Sequence, residues 1–128
     1  MEDPKLIAIL RRLRQLDDCR FEEAAYLFVL EALDYTMFMT GKSRMQGEKR
    51  HLTCIELVDG IRRYAHEEFG SLAPFTFRSW GVTISADFGG LVEQMCEAGL
   101  LRRRPEDRFD AFAGAFDFEE SFVTNPGS

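Results

Sequence analysis

Apolar positions recur along this chain at two spacings, and the spacing says where helices run. After Asp3 and Pro4, a capping side chain followed by a proline at the first helical position, Leu6, Ile9, Leu10, Leu13 and Leu16 form one helical stripe. Lys5, Arg11, Arg12 and Arg14 lie largely off that stripe, so the helix has one face to bury. A second helix is expected from "DDCRFEE", with Asp17 or Asp18 as cap and Glu22 and Glu23 in its first turn, where the helix dipole favours acids. From Ala24 to Met39 only Glu31, Asp34 and Thr36 interrupt the apolar run, which predicts a central helix packed on more than one side and ended by Gly41.

A polar segment, "GKSRMQGEKRH", separates this pair from the rest. The third helix carries the clearest local signal. Thr53 as cap and Glu56 three residues on make a capping box, with Leu52 and Leu57 as its hydrophobic staple. The helix continues through Val58, Ile61, Ala65 and Phe69 to Gly70. Gly60 inside it marks the close approach of another helix. Residues 71–80 read as a short helix closed by Gly81, and 82–84 as an extended link. Ser85 is the expected cap of a helix carrying Phe88, Leu91, Val92 and Met95, which Gly99 stops with Leu100 folded back. "LLRRRPEDRF" predicts a β-hairpin turning at Pro105-Glu106-Asp107. The Phe-rich segment 109–118 fits either period, and the last six residues read as frayed.

This order, helix, short helix, link, helix, hairpin, predicts a mainly α protein. Two amino-terminal helices would pack on a winged-helix-like carboxy-terminal part. The expected divisions within one domain are 1–41, a basic linker at 42–51, the winged-helix-like part at 52–118 and a tail at 119–128. At 128 residues, two separate cores would each be very small.

Four stretches, "AAYLFVLEALDYT", "FGSLAPFTFRSWGV", "ADFGGLVEQMCEAGLL" and "FAGAFDFEESF", together resemble an uncharacterised bacterial family of small proteins. That resemblance implies a small standalone protein and carries no activity or residue role with it. Residues 85–108 also resemble the recognition helix and wing of bacterial winged-helix regulators, a fold that hosts many functions.

Charge bears on the DNA-binding reading this suggests. The net charge is −6, and the last twenty residues hold Asp110, Asp117, Glu119 and Glu120 with no base. The would-be recognition helix carries Asp87, Glu93 and Glu97, no Lys or Arg, and the pair Gly89-Gly90, where a groove reader needs cationic and polar donors. Candidate phosphate contacts are confined to Lys42, Arg44, Lys49 and Arg50 in the linker and to Arg102 and Arg104 in the hairpin arm, with Arg103 opposed. Few phosphate contacts give a weak salt-dependent affinity. A nucleic-acid binder is therefore the second reading; a patch shared by those two segments would revive it.

Candidate chemistry is sparse. Cys19, Cys54 and Cys96 are far apart and read as reduced apolar fillers, and His51 and His66 lack a second ligand at helical spacing, so no metal or other cofactor is implied. "DFGG" matches a kinase tripeptide without the other kinase elements. No catalytic motif is present, which leaves an enzyme only as a site assembled from unrelated positions. No apolar stretch is long enough to span a membrane, and the amino terminus runs acidic then basic, the reverse of a secretory signal; a cytoplasmic protein is expected. The first reading is a non-enzymatic protein–protein interaction or adaptor module, its partner an unidentified protein or a second copy. Phe112, Phe116, Phe118 and Phe122, set among acids, are the candidate partner contacts, unless they fold back to close the core. Twelve phenylalanines call for an aromatic core or an exposed aromatic surface.

Overall fold

The computed structural model describes residues 4–15 and 21–124, and they form helices α1 (Pro4–Arg14), α2 (Glu23–Met39), α3 (Cys54–Phe69), α4 (Ala73–Ser79) and α5 (Ser85–Glu97). Short 3₁₀ turns join them at Lys42–Arg44, Gly47–Arg50, Gly70–Leu72 and Phe109–Phe112, and Glu119–Thr124 make a π-type turn. The expected caps Asp3, Asp17 and Asp18, the last stripe residue Leu16 and Cys19 lie outside the described residues. Helix α2 itself starts at Glu23, and the Glu22 backbone N–H donates to the Trp80 carbonyl at 3.1 Å.

An antiparallel pair, α2 and α3, forms the middle of the molecule. Phe28 stacks near Tyr64 and Phe69, Thr36 faces Gly60, and Lys42 meets Glu56 beyond the end of α2. Gly60 is there because nothing larger fits: a Cβ on it would lie 1.7 Å from Thr36 Oγ1. Helix α2 buries Ala25, Tyr26, Phe28, Val29 and Ala32 and touches α1, α3 and α5. Helix α1 inserts Leu10 and Leu13 and keeps Arg11 and Arg12 in water.

The core is aromatic. Phe28 and Phe77 each lie within about 6 Å, ring centre to ring centre, of five other aromatic rings, a spacing at which edge-to-face pairs add to burial. Phe77 reaches Phe88 and Phe118 at 5.0 Å each and Phe122 at 5.7 Å.

The cap at Thr53 forms as the sequence predicts, with Glu56 N–H donating to Thr53 Oγ1 at 3.1 Å and Thr53 N–H to Glu56 Oε1 at 3.0 Å. At the end of α5, Gly99 is left-handed (φ 81°), Gly99 N–H bonds the Cys96 carbonyl and Leu100 N–H the Met95 carbonyl, the paired closure that glycine permits. The start of α5 differs from expectation. Asp87, not Ser85, caps it: one carboxylate oxygen accepts from the backbone N–H groups of Thr83 and Ile84 at 2.8 and 3.2 Å. Ser85 is buried, donating from Oγ to the Phe112 carbonyl at 2.6 Å and accepting from Ala115 N–H at 3.1 Å. Ser85→Ala is therefore expected to cost about 1–2 kcal/mol, since it removes two hydrogen bonds while the Ala115 N–H keeps the Phe112 carbonyl as its partner at 3.3 Å. A lowered urea midpoint with an unchanged slope would show it; an unchanged midpoint would mean water replaces the hydroxyl.

The winged-helix expectation is overturned. Among the described residues there is no strand, so no β-hairpin and no wing; the mainly α class holds. The turn at Pro105-Glu106 does form, closed by Arg104 N–H on Asp107 Oδ2 at 2.8 Å and Asp107 N–H on the Arg104 carbonyl at 3.0 Å. No returning strand follows it. Phe109 and Phe112 wind into a 3₁₀ turn that packs on α5 at Gly89, where a Cβ would meet Phe112 Cβ at 2.9 Å and the Phe109 carbonyl at 3.1 Å. Helix α5, the supposed groove reader, buries Phe88, Gly89, Leu91, Val92 and Met95 and is a core helix.

Candidate functional site

Where the linker leaves α2, Lys42 Nζ donates to the His51 carbonyl at 2.7 Å and to Glu56 Oε1 at 2.6 Å. One ammonium thus ties the linker to the capping box of α3 and fixes the backbone at His51. From there His51 Nε2 lies 3.0 Å from Asp107 Oδ1, and because a carboxylate only accepts, Nε2 carries the hydrogen. Asp107 is itself held by the turn described above. Burial pushes its carboxyl up, but the His51 ring, the Arg104 N–H and the nearby positive charges outweigh that and leave it below the ordinary value. Glu56 follows the same pattern: burial raises it, and Lys42 with the Thr53 groups brings it below normal.

A carboxyl held lower when folded stabilises above its unfolded value, about 4, and that contribution is lost as pH falls through the lower folded value. The stability gap between the wild type and Asp107→Asn is expected to be constant above about pH 5 and to narrow below about pH 4, measured by urea unfolding at each pH. A gap that stays constant into acid would show that Asp107 gains nothing from its partners.

Beside this pair opens a cavity of about 230 Å³. Leu33 and Met37 of α2, Cys54 and Leu57 of α3, and Val92 and Cys96 of α5 line it, closed by Leu101 and Phe109. Its polar rim is Arg50, His51, Arg102, Arg104 and Asp107. Burial raises both thiols, Cys54 and Cys96, so neither is an activated nucleophile, and among the described residues no hydrogen bond joins the imidazole to either sulfur. No group of three or more His, Cys, Asp and Glu among the described residues is placed to hold a metal ion.

The structure brings together the two basic segments that the sequence singles out separately. Arg104 reaches Glu48 Oε2 at 3.3 Å and Glu106 Oε1 at 3.8 Å, tying the 102–108 turn to the linker. Arg50 donates to the Ser43 carbonyl at 2.8 Å, while Arg44 and Lys49 are exposed. Arg102 shares the rim, and Arg103 turns away to stack over the Phe109 ring at 4.7 Å. Glu48, Glu106 and Asp107 interleave with these cations, so no uninterrupted phosphate track results. The aromatic candidates are inside: Phe112 and Phe122 have no exposed surface, Phe118 is buried and Phe116 is half-buried against Phe118 and Phe122. Sequence reasoning missed the His51–Asp107 pair, 56 residues apart, and the cavity itself, whose lining reads as ordinary core. Among the described residues no helix is long and apolar enough to cross a membrane. No family model matches the chain, and neither a curated protein nor a solved structure does.

Proposed function

We propose that the protein is a cytoplasmic, non-enzymatic protein–protein interaction module whose contact surface is the linker end of the α2–α3 pair. One observation supports this reading: four large apolar side chains stand in water there, Ile55 at 73% exposure, Phe38 at 67%, Met39 at 58% and Met45 at 41%. The register of the pair, Thr36 against Gly60 and Lys42 against Glu56, puts them at one end. Exposed apolar groups rimmed by charge suit a protein interface, in which a few central side chains carry most of the affinity. Arg44, Lys49 and Arg50 flank them, so the complementary surface has an apolar centre and an acidic rim.

The double variant Phe38→Asp, Ile55→Asp tests this. Both side chains are exposed, so the fold is retained, which far-UV circular dichroism checks. Partners captured by the wild type, or its self-association by sedimentation velocity, are expected to weaken at least about tenfold. Capture of the same proteins with the same strength by the variant would place the contact surface elsewhere.

A further inference from the structure

The cavity shares only Arg50 with that surface, and its chemistry points to a ligand of its own. We infer that it binds a small amphipathic carboxylate, the apolar tail between α2, α3 and α5 and the acid head among Arg50, Arg102 and Arg104.

The walls exclude a polar ligand body: Leu33, Met37, Leu57, Val92 and Leu101 supply hydrocarbon and the two protonated thiols add soft, weakly polar surface. The few polar groups present are already satisfied. Asp107 is engaged by His51 and by the Arg104 N–H, and among the described residues no buried side-chain nitrogen or oxygen lacks a partner. A tail therefore displaces no hydrogen bond that it cannot replace.

The rim selects the head. Arg50, Arg102 and Arg104 line it, with Asp107 the one carboxylate in the lining and Glu48 and Glu106 outside it on Arg104. Among the described residues Arg102 makes no ion pair, and Arg50 bonds only to the Ser43 and Met45 carbonyls. The carboxylates on Arg104, Glu48 and Glu106, are themselves exposed, and pairs of that kind are worth little against an incoming anion. A planar guanidinium matches a carboxylate with two parallel hydrogen bonds. Size limits the class further. A volume of about 230 Å³ lies under the ~300–1,000 Å³ typical of pockets for drug-sized ligands, which suits a short aliphatic or aromatic monoacid and not a nucleotide.

The test is a methyl-detected NMR titration of the full chain with octanoate, with octanol (the same tail, no charge) and with acetate (the head, no tail). Octanoate is expected to shift the methyl signals of Leu33, Met37, Leu57, Val92 and Leu101 saturably. Octanol should bind about tenfold more weakly and acetate should shift none of them. Arg102→Ala, an exposed position, should remove most of the preference for octanoate over octanol. Equal binding of octanol and octanoate, or an unchanged preference in Arg102→Ala, would overturn the assignment of the head site. Octanoate shifts confined to Met39, Met45 and Ile55, or absent at millimolar ligand, would overturn the cavity as the binding site, and would leave the interaction surface at the linker end unaffected.

Discussion

Phe77→Ala is expected to destabilise the protein by about 3–5 kcal/mol, the usual cost of deleting a fully buried phenyl ring. The site argues for the upper part of that range. Phe77 has no exposed surface and touches rings from every side: Phe28 of α2, Trp80 just past α4, Phe88 of α5, and Phe118 and Phe122 from the carboxy-terminal segment. Removing it leaves a void whose walls belong to four different elements, so no single side chain rotates to fill it. Against a total of about 5–15 kcal/mol for a domain, much or all of the stability goes. Thermal and urea unfolding of Phe77→Ala and Phe77→Leu should rank wild type, Leu, Ala in falling order. A loss under about 1 kcal/mol in the alanine variant would mean that the aromatic cluster collapses around the gap.

Gly60→Ala destabilises by the opposite route, overfilling. Its Cβ would lie 1.7 Å from Thr36 Oγ1 and 2.8 Å from both Thr36 Cβ and Cγ2. The threonine cannot simply turn aside, because Oγ1 donates to the Ala32 carbonyl at 2.6 Å and the whole side chain is buried. Relief requires α2 and α3 to move apart, and overpacking of this kind costs about 1–3 kcal/mol, occasionally more. In an exposed helix the same change would gain about 1 kcal/mol from propensity, so the sign itself is diagnostic. Combining Gly60→Ala with Thr36→Gly should recover much of the loss, whereas Thr36→Ser, which keeps Oγ1, should not. A coupling energy near zero in that double-mutant cycle would mean the two helices do not meet at this point.

What the sequence made legible here was local. Thr53 with Glu56, and Gly99 with Leu100, are read correctly because all the partners in each motif lie within a few residues. Gly60 is legible as well, since a glycine inside a strong helical pattern needs a reason. Ser85 misleads because the same serine-before-apolar pattern suits a cap or a tertiary hydrogen bond. Asp87 takes the capping role, and Ser85 is spent on Phe112, 27 residues away. The hairpin fails for a related cause. Its turn is set by Asp107 closing on Arg104, a local interaction, but the direction of the chain beyond it is set by Phe109 and Phe112 fitting Gly89. For the cavity, Arg50, Arg102 and Arg104 stand out as charges, yet nothing in Leu33, Met37, Val92 or Leu101 distinguishes a cavity wall from packed core.

The placement of Phe118 and Phe122 against Phe77 also governs the order in which the molecule can be made. The ribosome delivers residues from the amino terminus at about 5–20 per second, so Phe28, Phe77 and Phe88 emerge well before the rings that cover them. Until Phe118 and Phe122 have been made, Phe77 lacks two of the five rings that surround it in the folded chain.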